Sequence, residues 1–248
     1  MSCILAIDSG NTLIKWGLHD GCNWLIQDKV AHGNISSLTS AWHDLPQLSS
    51  IIVSHVANDL IKEELSELLS IWEITPYWII SLPFQCGVRN CYTDPALLGC
   101  DRWAALIAAW NLHTVACLVV NVGTAITVDV LSDFGDFLGG IILPGPSLML
   151  ETIQVNTALL SSELGKFENF PVSTSSATYS GVIQASLGAI ERMQRLLCAT
   201  LGTSVTVNCI VSGGGASLIL PHVNFPVRVI DNLVLEGLVT IASDLSKH

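Results

Sequence analysis

The stretch Ile4-Leu-Ala-Ile-Asp-Ser-Gly-Asn-Thr-Leu-Ile-Lys-Trp-Gly-Leu18 decides how this chain is read. Residues 4–7 are apolar, 8–12 are turn formers, and 13–18 are strand-like again. Two such runs joined by a short Gly-Asn loop read as a β-hairpin with a buried first strand. Asp8 closes that strand. A carboxylate there can hold magnesium, which takes one or two carboxylates together with phosphate oxygens. Gly10 lets a ligand approach the backbone, successive N–H groups in such a turn face anions, and Lys15 adds a nearby positive charge. The same residue types also make an ordinary turn that binds nothing.

Outward from this hairpin, residues 24–30 read as a third strand, 35–43 and 59–70 as helices, and 51–54 as a buried strand between them. Residues 95–113 read as a helix or helix pair. The opening pattern then restarts. Ala116–Val120 is an apolar strand closed by Asn121-Val-Gly-Thr124, and residues 125–131 form the next strand. Another strand is expected at 137–143, helices at 147–157 and 180–199, a strand at 206–211, a glycine run at Gly213-Gly-Gly215 and a last helix at 234–243. Two halves that open alike suggest a duplicated α/β domain, split near residue 114 into 1–114 and 115–248.

Composition narrows the function classes. Of 248 residues only 12% are charged and 50% are hydrophobic, which excludes a disordered chain. Ten Lys+Arg against 21 Asp+Glu give a net charge of −11, so nucleic acid is not an expected partner. The uncharged stretch 103–128 is interrupted by Asn111, His113, Thr114, Asn121 and Gly123-Thr124, so a helix, a loop and a buried strand are expected there rather than a membrane span. No basic segment precedes the first apolar run, and no signal peptide is expected. The eight cysteines show neither CxxC nor zinc-ligand spacing and read as reduced thiols of a cytoplasmic protein.

GxxxxGK[ST] and GxGxxG are both absent. What remains is a nucleotide held by two hairpin loops, with the glycine run near the base. Gly99-Cys-Asp-Arg102 precedes the most apolar helix of the chain. Asp101 is either a helix N-cap or a general base, and Arg102 either a surface ion-pair partner or a cation for an anionic substrate.

Together these blocks resemble the type III pantothenate kinases of the acetate and sugar kinase/Hsp70/actin superfamily. The resemblance rests on Asp8-Ser-Gly-Asn-Thr12 with Lys15, Tyr92-Thr-Asp-Pro95, Leu98-Gly-Cys-Asp-Arg-Trp103 and Gly123-Thr-Ala-Ile-Thr-Val-Asp129. It continues through Gly139-Gly-Ile-Ile-Leu-Pro-Gly145, Ser212-Gly-Gly-Gly-Ala216 and Asp231-Asn-Leu-Val-Leu-Glu-Gly-Leu238. It implies an α/β fold of duplicated ribonuclease H-like (actin-like ATPase) domains, each a mixed sheet with flanking helices. It implies ATP-dependent phosphorylation of pantothenate to 4'-phosphopantothenate, the first step towards coenzyme A, by a cytoplasmic homodimer.

By that resemblance Asp8, Ser9, Gly10, Asn11, Thr12, Leu13, Ile14 and Lys15 bind ATP, with Thr124 from the second loop, and Asp8 is the expected Mg²⁺ ligand. Tyr92, Gly99, Cys100, Asp101 and Arg102 hold pantothenate, Asp101 as proton acceptor. Thr174 falls where the family places a pantothenate-binding threonine. The family often has Asp, as ligand of a potassium or ammonium ion, where this chain has Asn121. An amide offers an oxygen without negative charge, so weaker dependence on a monovalent cation is expected. Asp129 is either support for the metal or structural. Two other functions suit the same scaffold: a non-enzymatic accessory factor in transcription, and a kinase of another small hydroxylated metabolite. The joint presence of Asp8, Lys15, Asp101, Arg102 and Thr124 favours the enzyme.

Overall fold

The computed structural model describes residues 3–156, 165–202 and 207–247. In chain order it runs β1 (Cys3–Ser9), β2 (Leu13–His19), β3 (Trp24–Ala31), α1 (Leu38–Trp42), β4 (Leu48–His55), α2 (Asp59–Leu69), β5 (Tyr77–Trp78), β6 (Phe84–Gln85), β7 (Val88–Asn90) and α3 (Cys100–Leu112). Then come β8 (Cys117–Val122), β9 (Ala125–Leu131), β10 (Asp136–Pro144), α4 (Pro146–Asn156), α5 (Thr174–Leu201), β11 (Asn208–Ser212), α6 (Ala216–Ile219), β12 (Arg228–Val229) and α7 (Leu233–Leu245). Thr157 and Thr206, at the edges of an expected helix and strand, lie outside the described residues. Met1–Thr114, Gly135–Phe137 and Asn232–His248 form one compact unit; Val115–Phe134 and Leu138–Asp231 form the other.

In the first unit the strand order is β3-β2-β1-β4-β5. β1 pairs antiparallel with β2 and parallel with β4. Six of its seven residues are buried, which is why it reads as a continuous apolar run rather than an alternation. The edge strand β3 is exposed along most of its length and carries Gln27, Asp28 and Lys29. Leu5, Ile7, Ile51 and Val53 share a core with Trp16 and Trp42, whose rings meet edge-on at 5.9 Å. α3 is buried at every position from Arg102 to Ala109, as its all-round apolar sequence requires. α7 packs against it so closely that a Cβ on Gly237 would overlap the Ala104 carbonyl. Only glycine allows that approach.

In the second unit the order is β12-β11-β8-β9-β10. β8 pairs antiparallel with β9 and parallel with β11, the same plan as β1 with β2 and β4. α5 buries Ile183, Leu187, Ile190 and Leu197, which lie on one helical face, against Leu118, Val120 and Val211 of the sheet. The uncharged stretch 103–128 is α3, a loop, β8 and the start of β9. Among the described residues no helix is long and apolar enough to cross a membrane.

Candidate active site

The register of β1 places the first group of side chains. Asp8 lies opposite Lys15 of β2 and beside Ser54 of β4, and Ser9 lies beside His55. The Gly10 N–H donates to the Leu13 carbonyl at 3.1 Å and closes the turn. Asn11 and Thr12 are exposed at its tip, Leu13 and Lys15 are half-buried, and Ile14 is in the core. The buried side chains of Ser9 and Ile14 face inward, so the turn can offer a ligand its backbone and the Asn11 and Thr12 side chains.

Asp8 is buried, and its Oδ1 has no hydrogen-bond partner among the described residues. Burial pushes its pKa up to about 7, Asp101 pushes the same way, and Lys15 pulls it back. A buried carboxylate oxygen without a donor is costly and rare in folded chains. It suits a hard cation that takes its other ligands from phosphate and water, so Asp8 fits Mg²⁺. Among the described residues no cluster of three or more His, Cys, Asp or Glu offers a protein-only cage.

The start of α3 supplies the second group. Gly99 occupies the N-cap and Asp101 is the second helical residue, which corrects the alternative of Asp101 as the cap. Asp101 Oδ1 accepts from the Arg102 N–H at 2.8 Å. A Cβ on Gly99 would sit 2.7 Å from that same Oδ1, so glycine clears the carboxylate's position. Burial raises the Asp101 pKa, while the Arg102 N–H and guanidinium lower it. Arg102 is buried, not a surface cation. Its Nη1 donates to the Tyr92 hydroxyl at 3.1 Å, and its guanidinium carbon lies 5.8 and 5.9 Å from the ring centres of Tyr92 and Phe137. Two rings and a hydroxyl thus fix a planar cation suited to gripping a carboxylate. The Cys100 thiol is turned elsewhere. It accepts from the His55 N–H and donates to the His55 carbonyl, both at 3.3 Å, and lies 3.4 Å from Ser54 Oγ. It fastens α3 to the end of β4, and Cys100 offers a ligand little beyond its backbone.

The second unit carries the remaining expected residues. The Gly123 N–H donates to the Ala125 carbonyl at 2.9 Å, closing the turn that holds Thr124, and the Gly145 N–H donates to the Thr124 carbonyl at 2.8 Å. Asn121 pairs with Ser212 across the β8–β11 ladder. A Cβ on Gly213, whose φ is +100°, would lie 2.6 Å from Asn121 Oδ1 and overlap the Val122 carbonyl. Only glycine can stand this close to the Asn121 amide oxygen and the Val122 carbonyl. Asp129 is buried opposite Val119 in the β8–β9 ladder. Thr174 is exposed in the first turn of α5, which Ser173 caps by accepting from the Ser176 N–H.

A family model described as type III pantothenate kinase matches residues 4–196. The chain belongs to the type III pantothenate kinases. It is 53% identical to the type III pantothenate kinase of Nitrosospira multiformis, over 98% of this chain and 92% of that one. To the type III pantothenate kinase of Nitrosomonas eutropha it is 49% identical, over 97% and 95%. Among solved structures it is similar to a conserved Campylobacter jejuni protein carrying a Baf family transcriptional activator name, with TM-score 0.60 and 19% identity over 98% of this chain and 100% of that one. MreB5 of Spiroplasma citri bound to ADP matches with TM-score 0.54 and 10% identity over 100% and 98%. At such identities these structures speak for the actin-like fold alone.

Three residues of this kinase escaped the sequence reading. Phe137 packs on Tyr92 at 5.2 Å and faces Arg102. Ser54 and His55 meet Cys100 and Ser9. Polar residues ending a buried strand were the available signal for the last two, since a parallel neighbour of β1 must end beside Asp8.

Proposed function

We infer that this type III pantothenate kinase moves the γ-phosphoryl group of ATP to the hydroxyl of pantothenate, with Asp101 as the base. The observation that carries the reading is a half-buried Asp101 of raised pKa adjoining an Arg102 held by Tyr92 and Phe137. Arg102 and Tyr92 grip the pantothenate carboxylate, and the backbone of Gly99 and Cys100 lines the same substrate. Asp101 takes the hydroxyl proton as the oxygen attacks the γ-phosphorus and ADP leaves. A raised pKa suits this task, because a base works best near the operating pH. Most of the catalysis is position and charge compensation.

The turn from Asp8 to Lys15 receives the ATP phosphates at the backbone of Asn11 and Thr12, with Gly10 clearing their approach, and Thr124 is a further ATP contact. Mg²⁺ bound at Asp8 supplies charge compensation for the phosphates. Thr174 belongs to the pantothenate site. Asn121 offers a monovalent cation an oxygen without charge, so potassium matters little. The chain works as a cytoplasmic homodimer, a reading that its 50% hydrophobic composition suits.

The test is direct. Purified protein with ATP, Mg²⁺ and pantothenate should yield 4'-phosphopantothenate, detected by mass spectrometry. Asp101→Asn should cut kcat by roughly 10²-fold or more at matched circular dichroism. Equal turnover would remove Asp101 from the base role.

A further inference from the structure

The turn assigned to the ATP phosphates is held from two sides by histidines that take no part in the phosphoryl transfer. His32 follows β3, and its Nε2 lies 2.9 Å from the Gly10 carbonyl oxygen. A carbonyl only accepts, so Nε2 carries the hydrogen and donates it. His55 ends β4 and shares a 3.0 Å hydrogen bond between its Nδ1 and the Ser9 hydroxyl. Burial, with Lys62 nearby, lowers the His55 pKa and keeps the ring neutral at pH 7.

The His55 ring has little freedom. It meets Trp78 edge-on at 5.8 Å, and the His55 backbone is fastened to the Cys100 thiol through both N–H and carbonyl. The Val56 N–H adds a 3.0 Å bond to the Ser9 carbonyl. Ser9 is thus fixed through its side chain and its backbone, and Gly10 through its carbonyl. This matters because glycine is the most permissive backbone position of the turn. N–H groups that must be ordered by the incoming phosphate bind it less tightly than groups already in place.

We propose that His32 and His55 are positioning residues that brace Ser9 and Gly10 and so preorganise the turn for the triphosphate. The proposal rests on the assignment of that turn to ATP. It is tested by calorimetric titration of the full chain with Mg-ATP, beside kinetics with pantothenate. His32→Leu and His55→Leu should each weaken Mg-ATP about three- to tenfold, the span of one net hydrogen bond. His32→Gln keeps a donor at the position of Nε2, and His55→Asn keeps an amide nitrogen at the position of Nδ1. Both should bind Mg-ATP within about twofold of the unmodified chain, and no variant should move the pantothenate KM by more than about twofold.

Leucine variants that bind ATP normally would overturn the proposal. So would conservative variants as weak as the leucine ones, or a pantothenate KM that rises in step with the ATP loss. If the unmodified chain binds ATP without phosphorylating pantothenate, the substrate reading falls and the binding series still supports or sinks the brace. If it binds no ATP, both fall.

Discussion

Replacing Asp8 by Asn should stabilise the free protein at pH 8 while abolishing its response to magnesium. The Asp8 carboxyl titrates near 7 in the folded chain against a usual 3.8, chiefly because it is buried and secondly because Asp101 is close. Between those two pH values the folded state keeps a proton that the unfolded state has released, so stability falls as pH rises through the window. At about 1.4 kcal/mol per pH unit the loss by pH 8 is on the order of 4 kcal/mol. An amide of the same shape carries no such penalty, although Lys15 then loses its partner across the β1–β2 ladder. At roughly 2–4 °C per kcal/mol for a chain of this size, the melting midpoint at pH 8 should rise on the order of 8 °C. At pH 5 the gain should shrink to less than about half, because most of the window then lies above the working pH. Scanning fluorimetry at both pH values, with and without Mg²⁺, reads all of this. Mg²⁺ should raise the midpoint of the unmodified chain at pH 8 and leave the variant where it was. A variant no more stable than the parent at pH 8, or one whose advantage grows towards pH 5, would refute the buried-carboxylate argument.

Arg102→Lys keeps the charge but loses the planar fork, so the pantothenate KM should rise more than the ATP KM in steady-state assays. The reverse order would move Arg102 to the nucleotide. Gly237→Ala drives a methyl into the Ala104 carbonyl and should cost about 2–3 kcal/mol in urea melts without altering the ATP KM of the folded fraction. Exchanging sodium for potassium should change turnover less than about threefold, while Asn121→Asp should acquire potassium activation. Strong potassium activation of the parent would show that neutral oxygens suffice.

What could be read from the amino-acid order, and what could not, follows sequence distance. The β1–β2 and β8–β9 hairpins are local, with apolar runs broken by Gly, Asn and Thr, and they appear where expected. β5, β6, β7 and β12 span two or three residues each, too few for any periodicity to show. The N-terminal turns of α5 were missed because Ser173-Thr-Ser-Ser176 reads as loop, although its first serine is the cap that starts the helix. The residues around Asp8 and Arg102 arrive from far away. His55 reaches Ser9 through the parallel β1–β4 pairing, and Phe137 reaches Arg102 because Gly135–Phe137 rejoins the first unit.

Asp101 shows the limit most sharply. An aspartate at the first turn of a helix favours both capping and proton transfer, so its type and position leave the two roles equal. They separate only in the geometry of its neighbours. Gly99 takes the cap, and its missing Cβ leaves the Asp101 carboxylate its place. The Cys100 thiol, bonded to the His55 backbone, ties the helix start to the end of β4. A cap needs none of these arrangements, and they suit the base proposed for Asp101.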